Sequence, residues 1–333
     1  MASTDTQSLL VKFDNQVAGH DTLMKMATDD LMVIKPCEAR EVQFYEACHS
    51  HPTFCGWIPE CYGTLRSSTA SELHLLETSQ DSVTPIIPTA EEQPDAKLPD
   101  DHVCLENILR GFVRPCVLDL KMGKNLFDHL ADETKIDKMK LNAKDTTIES
   151  MAMRISGMKV YDTTQCVYRT YKKDFGRSFT KEDIINGFLA FFFPSSTYGS
   201  MGKQETIDDK EGNPTQRLPA KKIRWIIESF RDDLVDMREW IAKTPSLELI
   251  GSSLLFVYEG DRETVDAVWK RMLEDDEPAE ENEPILCDVR LIDFAHSRWD
   301  SQQTKQDPGL LEGFDNAILL LNQCMEVQKS EKL

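Results

Sequence analysis

Short apolar runs and longer stretches with helical spacing alternate along the chain, and together they predict a mixed fold. Runs rich in Val, Ile, Leu and Phe, each bounded by polar or turn residues, predict strands at 31–35, 102–108, 252–259 and 287–294. Apolar positions that recur every three or four residues predict helices over 39–49 and 220–244. Strands dominate the early part of the chain and helices the middle, which is typical of an α+β fold with two lobes.

The helix predicted over 220–244 carries the most regular apolar stripe, which predicts a buried core face and not a cofactor site. The stripe consists of Ile223, Ile226, Ile227, Phe230, Leu234, Met237 and Ile241. On the shorter helix we expect Val42 and Tyr45 to share one face. Thr180 followed by Asp183 has the form of a capping box, so we predict that a further helix begins there.

Three segments lack periodicity and are rich in turn, polar or acidic residues, which predicts mobile loops. They span residues 66–101, 199–219 and 274–284. The strand that ends near residue 108 precedes a Leu-Arg-Gly sequence that suits a connection between two lobes. We therefore predict an N-terminal lobe over residues 1–110 and a C-terminal lobe over residues 111–333.

Composition excludes several functional classes. The net charge of −20 argues against general binding to nucleic acid, which requires many cations that neutralise phosphates. No apolar run approaches the roughly 18 residues of a membrane span, and the N-terminus has no signal-peptide pattern. The nine cysteines lack a CxxC or Cys/His zinc spacing, which favours reduced thiols in an intracellular protein. We expect a monomer without direct nucleic-acid partners.

Residues 121–144 form an exception to the negative charge of the chain, because this stretch has more lysines than acidic residues. One interpretation is a solvated helix face. The other is a receptor for several phosphate groups, since local charge and not net charge governs a binding site.

The sequence PCVLDLKMGK at residues 115–124 places two opposite charges in an apolar, strand-like run. Asp119 and Lys121 are two residues apart, so they lie on the same side of a strand. Burying both charges costs free energy unless they pair with each other or are used at a site. A cross-strand salt bridge and a catalytic pair are the two alternatives.

Other polar residues in apolar strands have the pattern of a phosphoryl-transfer site. Lys35 ends an early strand and is followed by a helix that contains Glu41, a combination that positions nucleotide phosphates. Asp293 in the sequence LIDF suits a metal ligand. The sequence argues against an ordinary protein kinase, because GxGxxG, HRDxxxxN and APE are missing from it. QVAGHD at residues 16–21 is the only candidate for a loop over the phosphates.

The sequence PCVLDLKMG fits PxxxDxKxG, the signature of the inositol polyphosphate kinase family. QVAGH, SSLLFVYEG and LIDFAHS resemble other signature segments of this family and follow in the same order, from residue 16 to residue 297. The resemblance implies a kinase-like fold with antiparallel sheets in both lobes and a short helical substrate-binding segment over about 124–160. It also implies ATP and Mg²⁺ as cofactors and inositol polyphosphates as substrates. The divergent loops favour a fungal member.

The resemblance also implies catalytic roles. Asp119 would be the base or orienting carboxylate at the attacking hydroxyl, and Lys121 would contact the γ-phosphate and a substrate phosphate. Asp293 would bind Mg²⁺, and the hydroxyl of Ser253 would support the metal site. His296 would lie close to the substrate, with a surface histidine as the alternative.

The same resemblance assigns a nucleotide site and a substrate site. Lys35 would hold the α- and β-phosphates and pair with Glu41. Adenine would contact main-chain groups of Glu106 and Ile108 at the hinge and pack against Val33 and Leu255. Substrate phosphates would bind Lys135, Lys138 and Lys140, which follow the signature.

The length of the substrate segment distinguishes branches of the family. Residues 124–174 separate the signature from the FGRSFT sequence, which is too short for the long lobe of the 3-kinases. The short lobe favours the branch that converts inositol 1,4,5-trisphosphate to tetrakis- and pentakisphosphate at the 6- and 3-hydroxyls. The alternatives are a hexakisphosphate kinase that makes pyrophosphates, or a scaffold for transcription factors. The resemblance implies a nuclear and cytoplasmic location.

Overall fold

The computed structural model describes residues 10–18, 22–65, 102–274 and 285–333. The loop predicted over 66–101 and nearly all of the loop predicted over 274–284 lie outside the described residues. The division into lobes at residue 110 stays a prediction.

Within the described residues the first third of the chain has strands of three to five residues, and the longest strands follow afterwards. The strands are β1 (Leu10–Lys12), β2 (Met24–Met26), β3 (Met32–Pro36), β4 (Cys61–Leu65), β5 (His102–Glu106), β6 (Pro115–Met122), β7 (Met153–Asp162), β8 (Val167–Tyr171), β9 (Glu205–Asp208), β10 (Leu247–Glu248), β11 (Ser253–Glu259), β12 (Cys287–Ile292) and β13 (Arg298–Trp299).

The helices of the described residues concentrate in the second half of the chain. They are α1 (Ala39–Cys48), α2 (Pro52–Cys55), α3 (Glu133–Ala143), α4 (Thr147–Met151), α5 (Lys173–Arg177), α6 (Ile185–Phe192), α7 (Ala220–Ala242), α8 (Arg262–Glu274) and α9 (Pro308–Glu331). In the described part of the chain, no helix is both long and apolar enough to cross a bilayer.

Two main antiparallel sheets agree with the antiparallel sheets predicted for the two lobes, and β10 and β13 form an additional two-stranded sheet. The small sheet has the order β1-β2-β3-β5-β4, and the large sheet has the order β12-β11-β6-β7-β8-β9. The long helices α7 and α9 pack against each other, and apolar residues of both contribute to the main core beneath the large sheet. A separate apolar cluster joins the two sheets and consists of Phe13, Val33, Leu109, Val117 and Val257. The cleft between the sheets is therefore lined by apolar side chains from both.

Several sequence predictions are confirmed. All seven apolar residues predicted for the buried stripe of α7 are buried. The strands β11 and β12 form the predicted antiparallel pair, in which Ser253 is opposite Ile292. Each of the seven burials contributes roughly 1.5–3 kcal/mol, so α7 is a main source of core stability.

Other local predictions need correction. Part of the loop predicted over 199–219 forms β9, an exposed and polar edge strand that pairs with β8, so its sequence has no apolar alternation to detect. Thr180 does bond to Asp183, but α6 begins only at Ile185, after a series of turns. The buried face of α1 includes Tyr45 as predicted, whereas Val42 is only half-buried.

Candidate active site

Three neighbouring strands of the large sheet place the polar residues of the site side by side. On the central strand β11, Ser253 pairs with Lys121 of β6 on one side and with Ile292 of β12 on the other. Asp293 follows Ile292 directly, and its φ of 66° lies in the left-handed region, which ends the strand. Residues that are far apart in the sequence therefore meet at one end of the sheet.

Lys35 forms the centre of an ion-pair cluster between the two sheets. Its Nζ donates to Glu41 Oε1 at 2.8 Å and to Asp293 Oδ1 at 2.7 Å. Glu41 is only 1% exposed and also accepts a hydrogen bond from the Phe294 N–H. Burial acts to lower the pKa of Lys35, but the carboxylates of Asp293 and Glu41 outweigh it and raise this pKa. The predicted pair of Lys35 and Glu41 is formed, and the lysine stays charged.

Asp119 is a buried carboxylate whose hydrogen-bonding capacity is not fully used. The residue is 6% exposed, and its Oδ1 has no hydrogen-bond partner among the described residues. Burial, together with the negative charge of Asp293, raises the pKa of Asp119 to about 6. The charge of Lys121 and the hydroxyls of Ser253 and Ser156 act in the opposite direction. At pH 7 the carboxylate is ionised but close to its pKa, which suits a general base.

Ser156 is a neighbour of Asp119 that sequence reasoning missed. The ladder between β6 and β7 is irregular here, because Asp119 is opposite Gly157 whereas Leu120 is opposite Ile155. Ser156 is thus the extra residue of a β-bulge, a feature that redirects side chains. The local sequence around Ser156 contains no signal for this bulge.

Lys121 does not form with Asp119 the salt bridge that the sequence left open. Its Nζ donates instead to the carbonyl oxygen of Gly251 at 2.7 Å. Gly251 has a φ of 66°, a conformation that glycine adopts without strain. No carboxylate of the described residues lies within ion-pair distance of Lys121, so its charge is available to a phosphate.

A cavity of about 360 Å³ lies between the two sheets and is the candidate nucleotide site. The predicted residues in its wall are Val33, Lys35, Glu106, Ile108, Asp119, Leu255 and Asp293. Sequence reasoning missed several apolar residues of the same wall, among them Phe13, Leu23, Leu109 and Val117. The volume is typical of small-molecule sites. Apolar walls with charged residues at one end suit a base and its phosphates.

Residues 16–18 of the QVAGHD sequence, the candidate loop over the phosphates, line this cavity. A Cβ at Gly157 would lie 1.9 Å from the Val17 carbonyl oxygen, so only glycine permits this approach of the loop to β7. The Oε1 of Gln16 accepts a hydrogen bond from the Leu23 N–H at 3.3 Å. Residues 19–21 lie outside the described residues, so phosphate binding by this loop stays a prediction.

The connection after β5 occupies the position of the predicted adenine hinge. The Glu106 N–H donates to the Glu60 carbonyl oxygen at 2.8 Å, so this donor is not available to adenine. The Ile108 N–H has no partner among the described residues, and Ile108 lines the cavity. The side chain of Asn107 accepts from the Leu109 N–H at 3.1 Å and fixes the turn. Of the two predicted residues, Ile108 offers the free donor.

His296 and Arg40 meet at the carboxylate of Asp128, which is 5% exposed. Asp128 Oδ2 lies 2.7 Å from His296 Nδ1 and accepts a hydrogen bond from Arg40 Nη1 at 2.7 Å. Burial opposes ionisation, but the bonds from His296 and Arg40 outweigh it and lower the pKa of Asp128 to about 2. A carboxylate at Nδ1 favours the tautomer whose proton is on that nitrogen, which leaves Nε2 as the free ring atom.

A second cavity of about 350 Å³ adjoins this cluster and is lined by Arg40, Asp128, His129, His296 and Arg298, among others. Arg40 comes from α1, and His296 follows β12, so the cluster joins parts of the chain that are distant in sequence. Sequence reasoning missed Arg40, Asp128 and Arg298, because their contacts depend on how these segments pack.

The three predicted substrate lysines lie on α3, a helix in which no residue is buried. With about 100° between successive residues, Lys135 and Lys138 are neighbours on one face. Lys140 is about 140° from the first and about 160° from the second. Helix geometry therefore separates Lys140 from the other two, and the three do not converge on one point. A hydrogen bond from Arg40 is the main cause of the lowered pKa of Glu38 at the start of α1, and the charge of Lys135 contributes to this shift.

Arg154 is a buried cation that sequence reasoning missed. It is opposite Lys121 in the register of β6 and β7, and it is 9% exposed. Its Nη1 donates to the Asn142 carbonyl oxygen at 3.3 Å, whereas its Nε has no partner among the described residues. Burial and the charge of Arg177 lower its pKa, and Asp119 acts in the opposite direction. A guanidinium with an unused donor beside Asp119 is well placed for a phosphate.

The carboxylates of the cleft fit a hard divalent cation. The Asp293 side chain is 45% exposed. Loss of solvent acts to raise its pKa, but the charge of Lys35 and the hydrogen bond from it outweigh this effect and lower the pKa. Mg²⁺ typically binds one or two carboxylates together with substrate phosphates. The part of the chain described here has no group of three or more His, Cys, Asp or Glu able to hold a metal, so phosphates and water would complete such a site. Ser253, predicted to support it, is buried next to Asp119.

Asp119 lines a nucleotide-sized cavity and lies near Lys121 and Arg154, two cations with donors available to a phosphate. Such a combination is what phosphoryl transfer to a hydroxyl requires. The fold and the site together therefore define a two-lobed kinase.

Comparison with known proteins identifies the family. Residues 102–322 match the family described as inositol polyphosphate kinase. The chain is 30% identical over 309 residues to the inositol polyphosphate multikinase of Schizosaccharomyces pombe, and the match covers 92% of this chain and 94% of that protein. Identity to the inositol polyphosphate multikinase of Saccharomyces cerevisiae is 26% over 295 residues, which covers 78% and 75%. The chain belongs to the inositol polyphosphate kinase family and is an inositol phosphate kinase.

A solved structure confirms the fold. The crystal structure of inositol phosphate multikinase Ipk2 in complex with ADP and Mn²⁺ from S. cerevisiae matches with a TM-score of 0.63 and 23% identity, covering 88% of this chain and 98% of that one. The expected two-lobed α+β architecture is therefore confirmed. The two relatives named above are both fungal, in agreement with the sequence-based expectation.

Proposed function

We propose that this protein is an ATP- and Mg²⁺-dependent multikinase that phosphorylates inositol 1,4,5-trisphosphate at the 6- and 3-hydroxyls. The products would be tetrakis- and pentakisphosphates. The observation that carries this proposal is the position of Asp119. Asp119 lines the nucleotide cavity, and its Oδ1 has no partner among the described residues. On the same strand the half-buried Lys121 is opposite the buried Arg154, so two cations lie beside this carboxylate.

In this mechanism Asp119 accepts the proton of the attacking hydroxyl, whose oxygen forms a bond to the γ-phosphorus of ATP while the bond to the β-phosphate oxygen breaks. ADP leaves with that oxygen. Ionised Asp119 attracts the proton, and its raised pKa makes proton transfer favourable near neutral pH. Lys121 would lie against the transferred phosphoryl group, since its Nζ has only a carbonyl partner.

The remaining groups orient the reactants and balance charge. Lys35, held by Glu41 and Asp293, would bind the α- and β-phosphates. Asp293, supported by Ser253, would ligate Mg²⁺, which neutralises charge on the phosphates when bound. Arg154 and the paired His296 and Arg40 would bind phosphates of the inositol substrate.

Two further observations bear on substrate choice. Two relatives, from yeasts, are named multikinases, and they match most of this chain. Inositol hexakisphosphate kinase 3 of mouse is 28% identical over 67% of this chain but only 50% of that protein. The hexakisphosphate kinase is therefore the second candidate. Transcription-factor partners and a nuclear and cytoplasmic location stay predictions that rest on resemblance.

The test is a product profile with Mg-ATP, in which inositol 1,4,5-trisphosphate and inositol hexakisphosphate are offered separately. Products are resolved by anion-exchange chromatography, and NMR assigns the phosphorylated positions. We expect tetrakis- and pentakisphosphate from the first substrate and no change in the second. Pyrophosphate formation from hexakisphosphate as the main activity would contradict the proposal and support the second candidate. No product from either substrate would leave the scaffold role as the better explanation.

A further inference from the structure

A basic groove lies between the start of α7 and the end of α9, and the proposed reaction does not use it. The cavity has a volume of about 640 Å³, which is within the range of small-molecule sites. Among the described residues that line it, six side chains are cationic and none is acidic: Arg217, Lys221, Arg224, Arg262, Lys329 and Lys332. In a chain with a net charge of −20, this concentration of positive charge indicates a surface for an anion.

Most of these cations are not neutralised by the protein. Arg224 forms an ion pair with Glu228, and Arg262 forms one with Asp266. For the other four cations of the groove, no carboxylate within the described ranges lies at ion-pair distance. The groove therefore keeps a positive charge that an anionic ligand would compensate.

Hydrogen bonds between the helices hold the groove in shape. Arg262 Nη1 donates to the Arg217 carbonyl oxygen at 2.7 Å, and Arg217 Nη2 donates to the Lys332 carbonyl oxygen at 3.1 Å. Gln328, which is 4% exposed, donates to the Ala220 carbonyl oxygen at 2.7 Å and ties α9 to α7. Because these bonds already fix the walls, binding would cost little reorganisation.

The start of α7 adds a fixed partial positive charge to the same cavity. Pro219 precedes the helix without a side-chain cap, and both Pro219 and Ala220 line the groove. The first N–H groups of a helix have no partner within it, and its N-terminus favours anions. This contribution supports the cluster of six cations.

The groove is distant from the catalytic cleft along α9. At the other end of this helix, Gly309 packs against Lys124, directly after the signature strand β6. With a rise of 1.5 Å per residue, the helix carries Lys329 about 30 Å away from Gly309. A ligand in the groove is therefore not the substrate in the cleft.

We propose that this groove is a second, non-catalytic site for a multiply phosphorylated anion. Several cations around one cavity, arginine donors and a helix N-terminus together match phosphate groups, and a singly charged ligand would leave most of the charge uncompensated. A free inositol polyphosphate and the headgroup of a phosphorylated lipid share this chemistry.

The experiment uses the full chain with Lys121→Met, which weakens binding in the cleft, and inositol hexakisphosphate as the probe in calorimetry. We expect one site to remain in this background. Replacing Lys221, Lys329 and Lys332 by Gln should weaken it at least about tenfold, because three charge-assisted contacts are lost. A control with the same change of charge replaces the exposed lysines Lys181, Lys243 and Lys270 by Gln, and it should bind within about twofold of the background.

Hydrogen exchange locates the probe, which should protect residues 217–224 and 328–332. Vesicles of phosphatidylcholine with and without phosphatidylinositol bisphosphate distinguish the two ligand sources. Binding to vesicles that contain the bisphosphate and not to pure phosphatidylcholine vesicles, with displacement by hexakisphosphate, would assign a lipid headgroup. Binding of hexakisphosphate without binding to either kind of vesicle would assign a free polyphosphate. Equal loss of binding in the control variant, no protection at the groove, or no binding of either probe would overturn the proposal.

Discussion

The nucleotide half and the substrate half of the active site are built in different ways. Strands β3, β5, β6, β11 and β12 carry the nucleotide half, and the pairing of β11 with its neighbours places Lys121, Ser253 and Asp293 together. The substrate half includes α3, in which no residue is buried, and the cluster around Asp128. Strand pairing fixes side-chain positions closely, whereas the orientation of a surface helix depends on few contacts. The two halves therefore differ in how far sequence determines their geometry.

We expect the largest effect in the nucleotide half, from Asp293→Asn. Loss of this carboxylate leaves Lys35 paired with Glu41 alone and removes the proposed metal ligand, so kcat should fall about a thousandfold. Steady-state kinetics with saturating Mg-ATP measures the change, and circular dichroism checks the fold. Asp288→Asn on the adjacent strand β12 is the control, because its partner is Arg290 and it lies outside the cleft wall. A near wild-type rate for Asp293→Asn would show that the metal assignment is wrong.

Asp119→Asn should lower kcat about hundredfold through loss of the proposed base, and it should also change stability. The pKa in the folded state, about 6, lies above the ordinary value of 3.8, so the native state binds more protons between these values. Stability then falls as pH rises through this window, by up to about 3 kcal/mol above it. Asn has no charge to bury, so the variant does not lose stability in this way as the pH rises.

Denaturant unfolding at pH 4 and pH 8 tests this effect on stability. The Asp119→Asn variant should be more stable than the wild type at pH 8, and the difference should shrink towards pH 4. Equal stability of the two proteins at pH 8 would mean that burial of the Asp119 carboxylate does not destabilise the folded state.

In the substrate half, Asp128→Asn should raise KM for inositol trisphosphate about tenfold while kcat changes little. The change removes the charge that holds both His296 and Arg40. Glu38→Gln is a matched control, because Glu38 contacts the same Arg40 but not His296. We expect about a twofold effect for the control. An unchanged KM for Asp128→Asn would exclude this cluster from substrate binding.

The smallest effect distinguishes two lysines on α3. Lys138→Gln should raise KM for the inositol substrate about threefold, since Lys138 shares the face of Lys135. Lys140→Gln should leave KM unchanged, because helix geometry directs it elsewhere. Initial rates at varied substrate concentration measure both. Equal effects of the two variants would contradict the orientation of α3.

Sequence reasoning predicted many residues of the nucleotide half and few residues of the substrate half. The signature around Asp119 and Lys121 and the LIDF sequence predicted residues that the structure brings together at one end of the large sheet, because short motifs on strands carry their register with them. The bulge at Ser156, the buried Arg154 and the contact of Asp128 with His296 had no comparable signal. Each depends on which distant segments pack together. The groove between α7 and α9 was missed for the same reason.

The most direct test of this division is a crossed kinetic comparison of Lys35→Met with Arg154→Met. KM is measured separately for ATP and for inositol trisphosphate, with the other substrate saturating. We expect Lys35→Met to raise mainly the KM for ATP and Arg154→Met to raise mainly the KM for the inositol substrate. If Arg154→Met instead raised the KM for ATP and left the other unchanged, Arg154 would belong to the nucleotide half. The proposed location of the substrate would then be wrong.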